Sequence, residues 1–218
     1  WTSLPFLIYL LAHSLHSRVQ GNWPAPLFPA IALAAALVAA NPPLRPGPRF
    51  WHRFSAVAVA LGLAVSAVVY VHAVAPLTGA FARKDPTHQT RGWEEIGTAL
   101  QALAREQGAA WIATNAYSLN AQLAWQLDRM MPVEQVDQRI RYAMRPEPDA
   151  GTLARPALFV AEERRDPGLE RLSARFAEVE RVAVLTRSSR GTPIENLVVY
   201  RVAEPHAGGP LDPVYPLP

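Results

Sequence analysis

"FSAVAVALGLAVSAVVYVHAV", Phe54 to Val74, contains no Asp, Glu, Lys or Arg. As a helix rising about 1.5 Å per residue it reaches about 30 Å, the thickness of a bilayer's hydrocarbon core. It reads as a transmembrane helix. Upstream, Pro24 to Ala40 is also apolar but spans only with help from its flanks or a locally thinner bilayer. Trp23 and Trp51 lie beside these runs, where indole rings favour the membrane interface. The opening "WTSLPFLIYLLAHS" lacks the basic start of a signal peptide and reads as the inside of a further membrane helix, as in a fragment of a longer protein.

Charge divides the chain in the same way. Residues 1–84 hold no acidic side chain and six basic ones: Arg18, Arg45, Arg49, Arg53, Arg83 and Lys84. All 18 acidic residues and the other 15 basic ones follow, so a +6 part and a −3 part make the formal net charge of +3. Basic residues confined to the edges of apolar runs fit membrane-flanking loops; a nucleic-acid-binding face would gather them on a folded surface. The three arginines of the proline-rich turn "NPPLRPGPRFWHR" favour the cytoplasmic side, against Arg18, Arg83 and Lys84 opposite. That orientation puts the polar stretch near Arg18 and everything after Ala75 outside. The absence of cysteine removes disulfides, thiol nucleophiles and cysteine-ligated zinc.

After Asp85 the texture changes. Trp93, Ile96, Leu100 and Leu103 keep helical spacing, with Glu94 and Glu95 in the first turn and Gly108 as a stop. "AAWIAT" reads as a buried strand, Leu119, Leu123 and Leu127 as a second helix, and "PALFVA" as another strand. Leu169, Leu172 and Phe176 mark a third helix, and "RVAVLT" and "NLVVYRV" two more strands. The fold class is therefore a membrane α-helical part, residues 1–84, followed by a small α/β soluble domain, residues 85–204. Residues 205–218, rich in Pro and Gly, are expected to be a disordered tail.

Two groups of residues are candidates for chemistry. The first is "HSRVQGNWPAP", where Arg18, Gln20, Asn22, Trp23 and His16 interrupt apolar segments. A guanidinium there suits bidentate contact with a lipid phosphate whose tail stays in the bilayer, and water in an interfacial loop would satisfy it equally well. The second is "TNAYSLN", between a strand and a helix, the edge of an open α/β sheet where ligands bind. Its candidates are Thr114, Asn115, Tyr117 and Asn120, with helix capping by Asn115 or Ser118 as the competing role. Ser118 lacks the context of a nucleophile elbow, and no Gly-rich phosphate loop occurs. His13 and His16 have a metal-compatible spacing without further ligands nearby, so no metal site is assigned. "EERRD", Glu162 to Asp166, reads as a solvated charged loop. No residue before Asp85 can serve as a carboxylate base.

"SLHSRVQGNWPAPLFPA", "RGWEEIGTALQAL", "WIATNAYSLNAQLAWQL" and "RPALFVAEE" together resemble the C-terminal part of bacterial members of glycosyltransferase family 39, relatives of the protein mannosyltransferases and of the aminoarabinose transferase that modifies lipid A. The R-x-Q-x-N-W-P-x-P segment weighs most. The resemblance implies GT-C-like transmembrane helices in a multi-pass protein of the bacterial inner membrane, with its C-terminal domain in the periplasm. It implies transfer of a sugar from a polyprenyl-phosphate donor to a lipid, glycan or protein acceptor. The family's catalytic carboxylate lies in an outward loop upstream of the region matched here, so no catalytic residue is expected in this chain and the missing N-terminal membrane domain is an expected partner, alongside membrane lipid. A divalent metal is possible in the complete protein, with no cofactor expected in this part. Nucleic acid is not an expected partner. Two other readings stay open: a non-enzymatic α/β binding or interaction module tethered to the membrane, and part of a transporter.

Overall fold

The structure, a computed structural model, describes residues 3–17, 19, 22–41, 47–75, 85–127 and 130–214. The chain divides into two compact units, Trp1–Pro76 and Leu77–Pro218.

The first unit is helical. Helix α1 covers Leu4–Ser14, α2 Leu27–Ala40 and α3 Pro48–Val74. With 27 residues α3 is about 40 Å long, enough to cross a bilayer; α1 and α2, with 11 and 14 residues, reach only about 16 and 21 Å. Among the described residues one helix is thus long and apolar enough to span, the stretch Arg49–Val74, whose 18-residue apolar window has a mean hydropathy of 2.3. Valines, leucines and Tyr70 around α3 are exposed, an apolar surface too large to face water without a partner. Pro48 opens α3, where its missing N–H costs no helical hydrogen bond.

The second unit is a mixed five-stranded sheet with helices on both faces. In chain order it runs α4 Trp93–Glu106, β1 Trp111–Thr114, α5 Tyr117–Leu127, β2 Val133–Gln135, α6 Ala150–Leu153, β3 Ala157–Glu162, α7 Gly168–Ser173, β4 Phe176–Ser189 and β5 Thr192–Pro205. The sheet order is β2-β1-β3-β5-β4; β1 is parallel to both β2 and β3, while β5 runs antiparallel to β3 and β4. Alternation sends Ile112, Leu158, Val160, Leu197 and Val199 to one face, under Ile96 and Leu100 of α4 and Leu119 and Leu123 of α5. It sends Trp111, Phe159, Val198 and Tyr200 to the other, with Leu172 and Phe176. The Trp111 ring is fully buried, and its Nε1–H donates to the Arg155 carbonyl at 3.1 Å. Strands β4 and β5 join through Arg190 and Gly191, both at positive φ (51° and 78°), as a tight two-residue hairpin requires.

Four expectations change. Phe176 does not belong to the third helix: α7 ends at Ser173 and Phe176 opens β4, since its burial beside Leu172 fits a strand start as well as a helix turn. Strand β2 and helix α6 were not anticipated; each has only three or four residues, too few to show a period. "EERRD" is not simply a solvated loop. Glu162 ends β3 and is buried, receiving Arg164 Nε–H at 2.7 Å, and Asp166 accepts the Tyr200 hydroxyl. Nor is the tail disordered over residues 205–214, for Pro205 belongs to β5 and the rest is bonded to the domain.

Arg175 is the centre of that attachment. Its guanidinium meets Asp137 Oδ1 at 2.8 Å, Asp212 Oδ1 at 2.9 Å and the Pro210 carbonyl at 3.2 Å. The His206 N–H donates to the Arg175 carbonyl and the Asp212 N–H to that of Val136, both at 2.9 Å, while Leu211 packs on the second core. Arg175→Ala is expected to cost about 1 kcal/mol, because the pairs are partly exposed, and to make residues 206–214 cleavable in limited proteolysis. An unchanged digestion pattern would contradict the attachment. The Asp137 carboxyl titrates above its ordinary value, raised chiefly by burial and further by Asp212, with Arg175 opposing. A raised folded-state value means that its contribution is complete below the unfolded value and lost as pH climbs through the folded one, so mild acid does not release the tail through Asp137.

Candidate functional site

Strands β1, β2 and β3 end on the same edge of the sheet. From β1 the chain turns through α5 toward β2; from β3 it turns through α7 toward β4 on the other side. The crevice between the ends of β1 and β3 is therefore a topological switch point, the place where open α/β sheets bind ligands.

Here the chain's own side chains fill it. Asn115 Nδ2–H donates to the Arg165 carbonyl at 2.8 Å across the crevice, and its buried Oδ1 has no partner, so Asn115 does not cap α5. Ser118 lies inside the first turn of α5. Thr114 and Asn120 are buried against each other, the Thr114 hydroxyl donating to Asn120 Oδ1 at 3.0 Å, which ties the end of β1 to α5. The Tyr200 hydroxyl reaches both oxygens of Asp166 at 3.0 Å; burial first, then Asp166, raises the phenol's pKa. Of the four residues predicted for this edge, Tyr117 alone is substantially exposed. Its ring lies 4.1 Å from the Arg141 guanidinium carbon, and its carbonyl accepts the Tyr142 hydroxyl at 2.9 Å.

The residues missed by sequence reasoning sit one strand outward, at the end of β2. Gln135 is buried there with neither amide atom bonded, close to Glu134, Arg139, Tyr142 and Arg145. Arg139 pairs with Glu147 at 2.7 Å and donates to the Asp212 carbonyl at 3.1 Å; Arg145 meets Glu134 at 4.0 Å. The Glu134 carboxyl titrates above its ordinary value because burial outweighs the two arginines. The sequence carries no signal for Gln135, since a strand of three residues, Val133–Gln135, shows no period.

In the first unit, Arg18 and Gln20 lie outside the described residues. Asn22 and His16 are exposed, and His16 Nδ1–H donates to the Ala12 carbonyl at 3.0 Å. The Trp23 ring contacts His13 at 5.2 Å, and His13 in turn stacks on Tyr9 at 5.7 Å. The end of α1 and the approach to α2 therefore meet through aromatic rings. Among the described residues no group of three or more His, Asp or Glu could hold a metal ion. No family model, curated protein or solved structure matches the chain.

Proposed function

We propose that the chain is the C-terminal part of a membrane glycosyltransferase of the bacterial inner membrane, which moves a sugar from a polyprenyl-phosphate donor to a periplasmic lipid, glycan or protein. The observation that carries this reading is the R-x-Q-x-N-W-P-x-P segment, Arg18 to Pro26, set between apolar helices in a part without acidic residues. The spanning length of α3 and the ring contact between His13 of α1 and Trp23 within that segment support it.

In this reading Arg18 neutralises the donor phosphate at the outer leaflet. Gln20 and Asn22 supply neutral hydrogen bonds, Trp23 anchors the segment at the interface, and His16 borders it. Fixed cations and dipoles beside lipid act strongly because little water screens them. The carboxylate that activates the acceptor comes from the upstream part of the same protein. The filled switch point of the α/β domain fits chemistry located elsewhere.

The test is a transfer assay on the complete protein with defined polyprenyl-phosphate sugars, reading both released carrier and modified acceptor. Arg18→Ala is expected to lower kcat/KM for the donor about 10- to 100-fold, the loss of one charge-assisted phosphate contact, at normal protein levels. Unchanged kinetics would remove the phosphate role. Ligand binding without any transfer would favour the tethered binding module instead.

A further inference from the structure

Along the outer side of α5, Tyr117, Ala121 and Trp125 follow at intervals of four and are all exposed, so they form one stripe. Trp125 is 83% exposed. Segment 138–146 lies against the same helix. The Arg141 guanidinium carbon stands 4.1 Å from the Tyr117 ring, and the Tyr142 hydroxyl donates to the Tyr117 carbonyl at 2.9 Å. Toward the other end of α5, Arg145 shares a groove with Ala124 and Met130. The segment exposes Ile140 and, at 82%, Met144. Stripe and segment together make one surface of aromatic and aliphatic side chains, which water solvates poorly.

Its charge is opposite to that of the unit around it. Residues 85–218 hold 15 basic and 18 acidic side chains, yet 138–146 has Arg139, Arg141 and Arg145 and no acid. Arg139 pairs with Glu147 and Arg145 faces Glu134 at 4.0 Å, while Arg141 lies over Tyr117. Exposed rings and methionine beside arginine suit a surface of lipid headgroups, where rings enter the interface and cations meet phosphate. A second copy docked through this face would bring two arginine-bearing surfaces together. Residues 1–84 hold six basic side chains and no acidic one, so they offer no countercharge. A bilayer crossed by α3 is within reach, because the ten residues 75–84 lead from the end of α3 to Asp85 and extend to about 36 Å at most.

We propose that this face of the α/β unit docks on the headgroup region of an anionic bilayer, with Trp125 and Met144 entering the interface and Arg141 meeting lipid phosphate. The inference rests on α3 crossing that bilayer and not on sugar transfer, so a failed transfer assay leaves it standing.

The experiment uses the absence of cysteine to place single nitroxide labels. Ala121→Cys puts one within the stripe, Ser173→Cys one on α7 at the opposite face of the sheet, and Gly62→Cys one inside α3. Each labelled chain is placed in nanodiscs of phosphatidylcholine, with or without phosphatidylglycerol. Collisions of the label with oxygen, which concentrates in lipid, are compared with collisions with a water-soluble nickel chelate. With phosphatidylglycerol present, the label at position 121 is expected to favour oxygen, as at position 62, while the label at position 173 favours nickel. Trp125→Ala is expected to lower the docked-to-free ratio at least about tenfold, since most of the inserted apolar area goes, with Tm unchanged. Arg141→Gln is expected to lower it about fivefold in the anionic discs, the contribution of one cation near such a surface, and to have little effect in the neutral ones. The proposal is overturned if the label at 121 favours nickel as strongly as that at 173, if Trp125→Ala leaves it in lipid, or if Arg141→Gln acts equally in both compositions. Shielding from both reagents with spin–spin broadening would assign the face to a second copy instead and overturn it too. A water-accessible label at 62 would remove the spanning premise and the proposal with it.

Discussion

Arg187→Ala is expected to destabilise the α/β unit by about 3 kcal/mol, lowering its Tm by about 10 °C. The Arg187 side chain is 4% exposed and meets Glu195 Oε1 through Nε and Nη2, each at 2.8 Å. Its Nη1 donates to the His88 carbonyl at 2.7 Å and to that of Arg91, and the guanidinium lies 4.3 Å from the Trp93 ring. One cation thus holds the segment leading into α4 against β4. Removing it leaves two carbonyls without this donor and the Glu195 carboxylate partly buried without its guanidinium, and that loss outweighs the packing of the alkyl stem. Arg187→Lys is expected to recover only part of the loss, because an ammonium cannot reproduce the planar fork. Thermal melts of the three proteins decide it. A Tm for Arg187→Ala within a degree or so of the parent would contradict the account.

Gly92→Ala acts on the same joint through the backbone and is also expected to cost about 3 kcal/mol. Gly92 has φ 72° and ψ 15°, the left-handed region, and a Cβ there would stand 2.2 Å from the Ser188 carbonyl oxygen. That oxygen belongs to the backbone of β4, so the strand or the segment must move. Both changes loosen one contact, so the double variant is expected to lose less than the sum of the singles. A fully additive double variant would show that Gly92 and Arg187 stabilise separate features.

Length and burial decided which elements could be read from sequence. Phe54 to Val74 was legible because an uncharged apolar run long enough to span has few alternatives. Strands β1 and β3 were legible because parallel strands covered on both faces become continuous apolar runs. Helix α4 declared itself by the spacing of Trp93, Ile96 and Leu100, with Gly108 at positive φ beyond its end. Strand β4 was only half legible: its central "RVAVLT" stood out, while Glu178 and Glu180, exposed on an outer strand, concealed its true length. The attachment of the tail depends on Arg175, 35 residues from Pro210 in sequence. Composition contains no trace of such a contact.

The candidate site was less legible than the fold. Thr114, Asn115 and Asn120 have the right residue types at the right edge, but the structure uses their polarity internally, as the Thr114–Asn120 pair and the Asn115 bridge to Arg165. Gln135 is the converse case. Its buried amide meets no partner, and that is fixed by the packing of α5 and the 139–146 segment around a three-residue strand. For the first unit, the residue types around Arg18 carry the chemical argument for the proposed function, and sidedness decides whether they could act on a donor in an outer leaflet.

Sidedness is directly measurable. The chain has no cysteine, so Ser17→Cys, Gly47→Cys and Ser173→Cys each introduce a single thiol at an exposed position. Labelling of intact spheroplasts with a membrane-impermeant maleimide is predicted to modify Ser17→Cys and Ser173→Cys, and to reach Gly47→Cys only after lysis. Modification of Ser17→Cys and Ser173→Cys from opposite sides, or of Gly47→Cys from outside, would contradict the account.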